Sequence, residues 1–419
     1  MKKVLTVLAA AAVLAAGAVA EVTVGTSLSV QNALVASDGD DTYAGTVNSW
    51  GGARYAAINI EGTSEDSKAG FKMDIFDENG SIERGDNAYL WVQPIDQIMI
   101  VAGQFDSGES GLQGDFCYGS WNWIRPYNWL EDDEGLTFTG ALGEGLHVQI
   151  WPINGLQIYI GIPLSAGVIS NGKDEEENVK ATYISSQVAV AYTIEPISST
   201  VKVQWVGDYQ DGNSDVADGE EDIYEDGMGY GTVELAFDFG LIPNLFVTAG
   251  FRYRVMDGDL QTDYEADSIK IALGASYELG NLIGWDAGFT LYASGVAILY
   301  TAWDIGDAER DPRWSFGVGA DLGIIEGLKV EADFRYLSSV SGKYADGAKY
   351  DFKNDVASFL IGAVYSVGSN GEIGIGFQGA TNGWGFLNGS INGDENLTGE
   401  LQFEDKFAWA IPLRIGMWL

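Results

Sequence analysis

The sequence predicts an all-β protein, a transmembrane antiparallel β-barrel of about 16–18 strands, with about 18 the best count. Three observations predict it. The final stretch alternates: Phe407, Trp409, Ile411, Leu413, Ile415, Met417 and Leu419 fall on one side of a period-two pattern, and Ala408, Ala410, Pro412, Arg414 and Gly416 on the other. One apolar face backed by a small or charged one suits a wall between lipid and water. At the other end Lys2 and Lys3 precede an apolar run from Val4 to Val13, and Ala18-Val19-Ala20 has the small-x-small form of a cleavage site, so residues 1–20 read as a secretory signal. The third observation is a repeat of strand, tight turn, strand and long polar loop over residues 21–419, read as a single barrel domain.

Taken in order, Val22 to Val30 already alternates just after the cleavage site, leaving no room for a globular plug or an apolar hatch. Tight connections follow at Glu61 to Lys68, Pro94-Ile-Asp96, Pro152 to Gly155, Glu195-Pro-Ile197, Leu241-Ile-Pro243, Gly280-Asn-Leu282, Gly323 to Glu326 and Gly368 to Gly371. Long acidic stretches lie near residues 36–53, 106–135, 164–178, 210–227, 257–267, 338–354 and 381–405. Short turns on one rim and long loops on the other are the barrel arrangement, the short ones periplasmic and the long ones extracellular. Between them Val201, Val203 and Trp205 oppose Lys202 and Gln204, Ile269, Ile271 and Leu273 oppose Lys270, and Val330, Ala332, Phe334 and Tyr336 oppose Lys329, Glu331, Asp333 and Arg335. Leu136 to Leu146 reads as a short strand or as the end of a loop. Merging such pairs gives about 16 strands. Ala287 to Trp303 is apolar, but at about 17 residues with Gly, Ser and Thr among them it is shorter than the ~20 a spanning helix needs, and it reads as a long strand with its exit.

Composition narrows the function. The net charge is −39, which argues against a nucleic-acid partner and favours cations and neutral polar solutes. Hydrophobic residues make up 46% of the chain and aromatic ones 12%, which excludes the composition of a disordered acidic protein. Cys117 is the only cysteine, so no intramolecular disulfide forms, which a barrel closed by its own ladder does not need. A barrel of this size encloses an aqueous channel rather than a packed interior.

The signal, the alternating strands and the terminal strand together resemble bacterial outer-membrane porins. The ending departs from their usual terminal Phe, with Leu419 preceded by Trp418. A narrower resemblance, carried by Trp91-Val-Gln-Pro-Ile-Asp96 and Gly103-Gln-Phe-Asp106, is to spirochaete (Treponema-type) outer-membrane barrel proteins. The resemblance implies a bacterial outer-membrane location, passive diffusion of small hydrophilic solutes, contact with outer-membrane lipid, delivery by the barrel assembly machinery through the C-terminal strand, and a homotrimer. It implies no cofactor. The acidity adds an expectation of cation preference, and a surface-exposed adhesin or structural barrel acting through its acidic, aromatic-bearing loops is the alternative.

Candidate site residues fall into three groups. Lys202, Glu234, Asp238, Arg252, Arg254, Lys270, Lys329, Glu331, Asp333, Arg335 and Arg414 lie on strands. A charge facing lipid at mid-depth costs roughly 2–4 kcal/mol for Arg or Lys, so these are expected to face the lumen, most of them pairing with one another. The loop at 106–135 carries Asp115, Glu131, Asp132, Asp133 and Glu134 with Arg125, a charge set suited to a constriction if the loop folds inward and to a solvated outer loop if it does not. Its Tyr118, Trp121, Trp123, Tyr127 and Trp129 suit stacking on sugar rings, as in sugar-selective porins, or seating in an interfacial girdle. No metal site is expected. Asp211-Gly-Asn-Ser-Asp215 opens like a calcium loop, but Val216 stands where Gly is required and Asp222 where Glu is. Catalysis is not expected either: His147 is the only histidine and sits in an ordinary strand, Leu146-His-Val-Gln-Ile150.

Overall fold

A computed structural model describes residues 19–37, 39, 41–47, 54–78, 81–104, 144–162, 186–195, 199–210, 228–256, 268–300, 309–339, 341–344, 346–351, 353, 355–381 and 407–419. The strands are β1 (Val19–Ser37), β2 (Thr42–Val47), β3 (Arg54–Ser64), β4 (Ala69–Glu78), β5 (Ser81–Ile95), β6 (Ile98–Gln104), β7 (Glu144–Ile153) and β8 (Leu156–Ile162). They continue as β9 (Gln187–Ile194), β10 (Ser199–Gln210), β11 (Met228–Phe239), β12 (Leu245–Met256), β13 (Ser268–Glu278), β14 (Phe289–Tyr300), β15 (Glu309–Arg310) and β16 (Arg313–Ile325). The last are β17 (Leu328–Leu337), β18 (Ser341–Lys343), β19 (Lys349–Asp351), β20 (Val356–Ser366), β21 (Gly371–Ala380) and β22 (Ala408–Trp418), and α1 (Leu279–Ile283) is a single helical turn.

The ladder returns on itself. Each strand pairs antiparallel with its neighbour around a 19-stranded sheet, and β1 pairs with β3 on one edge and with β22 on the other. Among the described residues the short β2 pairs only with the far end of β1, beyond the reach of β3. Setting β2 aside leaves eighteen strands in the ring among the described residues, the number expected from the alternation. The seam is fixed by the terminal residue itself: Leu419 and Thr26 exchange backbone hydrogen bonds of 2.8 and 2.9 Å. Pro412, which has no N–H to donate, sits opposite Ala33 where β1 shifts register, a position a proline tolerates in a strand.

Side-chain parity is inverted relative to a water-soluble protein. Val24, Leu273 and Ile361 are exposed, whereas Glu331, Asp333 and Arg335 are buried. On β22 the expected split holds, with Phe407, Ile415, Met417 and Leu419 outward and Ala408, Ala410 and Pro412 buried. An apolar outer surface around a ladder that closes on itself is what a bilayer requires. Outward aromatics gather toward the loop rim on one side, where Trp314, Phe316, Phe334 and Tyr336 pack ring to ring and Phe359, Phe377, Phe407 and Trp409 form a second row. Such belts sit at the headgroup level.

Two connections differ from expectation. Gly280-Asn-Leu282 is not a tight turn: it lies in α1, within the connection from β13 to β14. The turn ends at Gly284 with φ +70°, and Trp285 Nε1 then donates to the Gly323 carbonyl at 2.7 Å, tying this connection to the next hairpin. On the loop rim β4 and β5 are joined across residues 79–80 alone. There is also an ordered element outside the ring. β15, from one loop, pairs with β18 and β18 with β19, from another, so two loops share a three-stranded sheet. Gly342 is required there, since a Cβ would run into the Glu309 carbonyl.

Candidate functional site

The site of an eighteen-stranded ring is its inner wall, and two stretches of it are described in detail. The first is on β16 and β17. Each strand turns alternate residues inward, so Asp321, Lys329, Glu331, Asp333 and Arg335 share the inner face. Lys329 Nζ lies 2.6 Å from Glu331 Oε1 and 3.3 Å from Asp321 Oδ2, and the Tyr292 hydroxyl donates to the same Asp321 oxygen at 3.3 Å. Arg335 Nε lies 3.3 Å from Asp333 Oδ1, with both side chains fully buried. Across the next two strands the same face carries Ser358, Leu360, Gln378 and Ala380, all buried. Farther round, Arg414 Nε and Glu372 Oε1 are 3.4 Å apart, and Lys72 lies 4.0 Å from Glu61.

The second stretch, on β7 to β9, is half way round the ring, β7 and β17 being nine strands apart. Its described inward side chains are uncharged. His147, Gln149, Tyr159, Gln187, Ala189 and Ala191 are all buried. The Tyr159 hydroxyl lies 3.5 Å from His147 Nε2, and Gln157 donates to Gln149 at 3.4 Å. Gly161 makes room for this pair: a Cβ there would sit 3.2 Å from both the imidazole and the Tyr159 hydroxyl. Nothing in the local sequence joins His147 to Tyr159 and Gly161; only the hairpin register does.

The other expected wall charges are placed by register alone. Glu234, Arg252 and Lys270 stand at one level across β11, β12 and β13, with Gln204 of β10 next in the row. Lys202 pairs with Ala191 and Ala236, Asp238 with Thr200 and Thr248, and Arg254 with Thr232 and Ser268. The loop at 106–135, with Asp115, Arg125, Glu131, Asp132, Asp133, Tyr118, Trp121, Trp123, Tyr127 and Trp129, lies outside the described residues, as does the stretch from Asp211 to Asp222. Among the described residues no group of carboxylates, histidine or cysteine has the makings of a metal site.

Closed ladder, apolar exterior and ion pairs on the inner face define the class: a transmembrane β-barrel of porin architecture. Salmonella typhi OmpF in complex with daunomycin shares this fold at a TM-score of 0.50 with 13% identity, over 95% of this chain and 97% of that one. An anion-selective porin from Comamonas acidovorans gives 0.47 and 14%, over 95% and 100%, and a loop-deletion mutant of OmpT from Vibrio cholerae gives 0.45 and 13%, over 95% and 99%. No protein-family model and no curated protein matches the chain.

Proposed function

We propose that this chain is an outer-membrane porin through which small hydrophilic solutes diffuse passively, with a preference for cations. The observation that carries the reading is the eighteen-stranded ring whose inner face holds ion pairs and amides, since a ring of that size is too wide for wall side chains to fill. Cation preference rests on the net charge of −39. We further propose that the 106–135 loop narrows the bore through Asp115, Arg125, Glu131, Asp132 and Asp133. Support comes from the charge set of that segment, acidic groups with one arginine, which suits a constriction. The aromatic residues of that loop supply a stacking surface for sugars. Cleavage after Ala20 keeps the pairing of β1 with β3 from Glu21↔Thr63 onward. Assembly as a trimer and delivery through the C-terminal strand complete the reading, and the spirochaete-type resemblance rests on sequence alone.

The test is single-channel conductance of the refolded mature protein in a planar bilayer, with the reversal potential under a KCl gradient. Stable openings with a cation-selective potential are expected, and blockade by added sugars tests the aromatic loop. Correctly inserted protein that never conducts sinks the porin reading. A surface-binding barrel would then stand, a reading favoured by the ordered sheet of β15, β18 and β19 outside the ring. An enzyme is disfavoured: His147 is the one histidine, and its segment Leu146-His-Val-Gln-Ile150 carries no nucleophile-and-acid pattern beside it.

A further inference from the structure

The inner wall is not uniformly wet. Counted from the turn rim, on seven strands the inward side chains nearest the rim are open and those beyond them are buried, whereas β16 departs, with Gly323 and Asp321 buried and Gly319 half-exposed. On β17 Lys329 is half-exposed, while Glu331, Asp333 and Arg335 are buried. On β14 Thr290 and Tyr292 are half-exposed, and Ser294, Val296 and Ile298 are buried. On β5 Trp91 and Tyr89 precede buried Asn87, on β7 Trp151 precedes Gln149 and His147, and on β9 Thr193 precedes Ala191, Ala189 and Gln187. On β22 Arg414 precedes Pro412, Ala410 and Ala408, and on β1 Glu21 and Thr23 are exposed where Ala33 and Ala36 are buried. The same order recurs on strands well separated around the ring, so it is a layer of the bore rather than a local crease.

We infer that the bore is stratified: a vestibule open toward the turn rim, lined by Lys329 and by the pairs Arg414–Glu372 and Lys72–Glu61, sets the charge selectivity, and the wall charges Asp321, Glu331, Asp333 and Arg335 farther in do not meet the solute. The inference rests on the porin reading for the word selectivity and on burial alone for the layering. Electrostatics gives the reason for the division. A fixed charge acts on a passing ion where water and the ion can approach it, and a buried pair whose members cancel acts little beyond its own contact. The rim below the vestibule strengthens its bias. Glu65, Asp66, Asp96, Glu195, Glu278, Asp286 and Glu326 are exposed there, and among the described turn residues the only cation is Lys68, itself 3.6 Å from Asp96. Cations are therefore concentrated at the mouth, and Lys329, Lys72 and Arg414 are the groups that moderate them.

The experiment has two arms. In a Cys117→Ser background, Thr23→Cys and Lys329→Cys are expected to react with a membrane-impermeant cationic methanethiosulfonate in the folded barrel. Ser358→Cys and Ala408→Cys are expected to react only after denaturation. Equal labelling of all four folded variants overturns the layering, and this readout needs no conductance. In the second arm Lys329→Glu and Arg414→Glu are each expected to raise the cation-to-anion permeability ratio about three-fold or more, as a charge reversal within several Å of an ion in water should. The double variant Asp333→Asn with Arg335→Gln is expected to leave that ratio unchanged. A shift from the buried pair as large as that from Lys329→Glu overturns the assignment. A barrel that labels as expected yet carries no current defeats the porin reading and leaves the layering standing.

Discussion

Two ion pairs of this protein are alike in chemistry and opposite in setting. Arg335 and Asp333 approach to 3.3 Å within the wall of the ring, both side chains at 0% exposure. Lys343 and Glu309 approach to 2.6 Å in the external sheet, with side chains 47% and 70% exposed. Judged by distance, the second is the better pair. Judged by surroundings, removal of one partner matters only in the first, because the survivor is left charged and away from water. Distance reports that two groups meet; burial decides what it costs to part them.

The largest effect should therefore come from Arg335→Ala, which removes a buried counter-charge of Asp333 and should destabilise the barrel by about 3–5 kcal/mol. Urea unfolding in detergent or lipid, followed by tryptophan fluorescence, measures it. Replacing both members together, Arg335→Leu with Asp333→Leu, sharpens the comparison. If burial rather than attraction dominates, the double variant should recover most of that loss. A double variant no more stable than Arg335→Ala would mean that the pair is held by its other neighbours and not by its own compensation.

Next in size is Gly323→Ala. A Cβ at Gly323 would run into the Ala287 carbonyl, and the Gly323 N–H donates to the Gly288 carbonyl at 2.8 Å, so the connection after α1 must move. A cost of about 1–3 kcal/mol is expected, with altered emission from Trp285, whose ring N–H is held by Gly323. Smaller again is Tyr159→Phe, which removes the hydroxyl beside His147 from a neutral wall and should cost about 1 kcal/mol in the same unfolding assay.

How much of this could be read from the sequence follows from the range of each signal. Parity is local, so Phe334 and Arg335 were assignable to opposite faces from their neighbours alone, and the ring closed with the strand count that alternation gives. Depth is not local. Lys329 and Arg335 occupy equivalent positions in one alternating run, yet one is half-exposed and the other fully buried, because depth depends on what lies across the bore. Pairing across hairpins is equally silent: His147 reads as a wall residue, but Tyr159 and Gly161 join it only through register. Leu279 to Ile283 carries the Gly and Asn of a turn, and its five residues are too few to show a helical period. The external sheet was missed because Ser341–Lys343 and Lys349–Asp351 are too short to show a period.

The smallest effect should come from Lys343→Ala, and it completes the comparison. Global unfolding should not change, since both partners stay hydrated after the change. What should change is local order, read by hydrogen exchange at the amides of β18 and β19. Glu309 holds the Lys343 ammonium above the ordinary lysine range, chiefly through their hydrogen bond. Its contribution is therefore fully present at neutral pH, below the unfolded lysine value, and is lost as pH rises through the raised one. Asp351 runs the other way. The Ser339 hydroxyl, and then the Lys353 N–H, hold its carboxylate below the usual range, so its contribution is present above the unfolded carboxylate value and is lost as pH falls through the lowered one. The two together predict a sheet whose amides are protected across the neutral range and exposed at both extremes, with Lys343→Ala erasing only the alkaline step. Gly342→Ala supplies the internal contrast: it drives a methyl into the Glu309 carbonyl, and it should abolish protection at every pH. If Gly342→Ala left the exchange pattern intact while Lys343→Ala removed it, the exposed ion pair and not the backbone contact would be holding the two loops together.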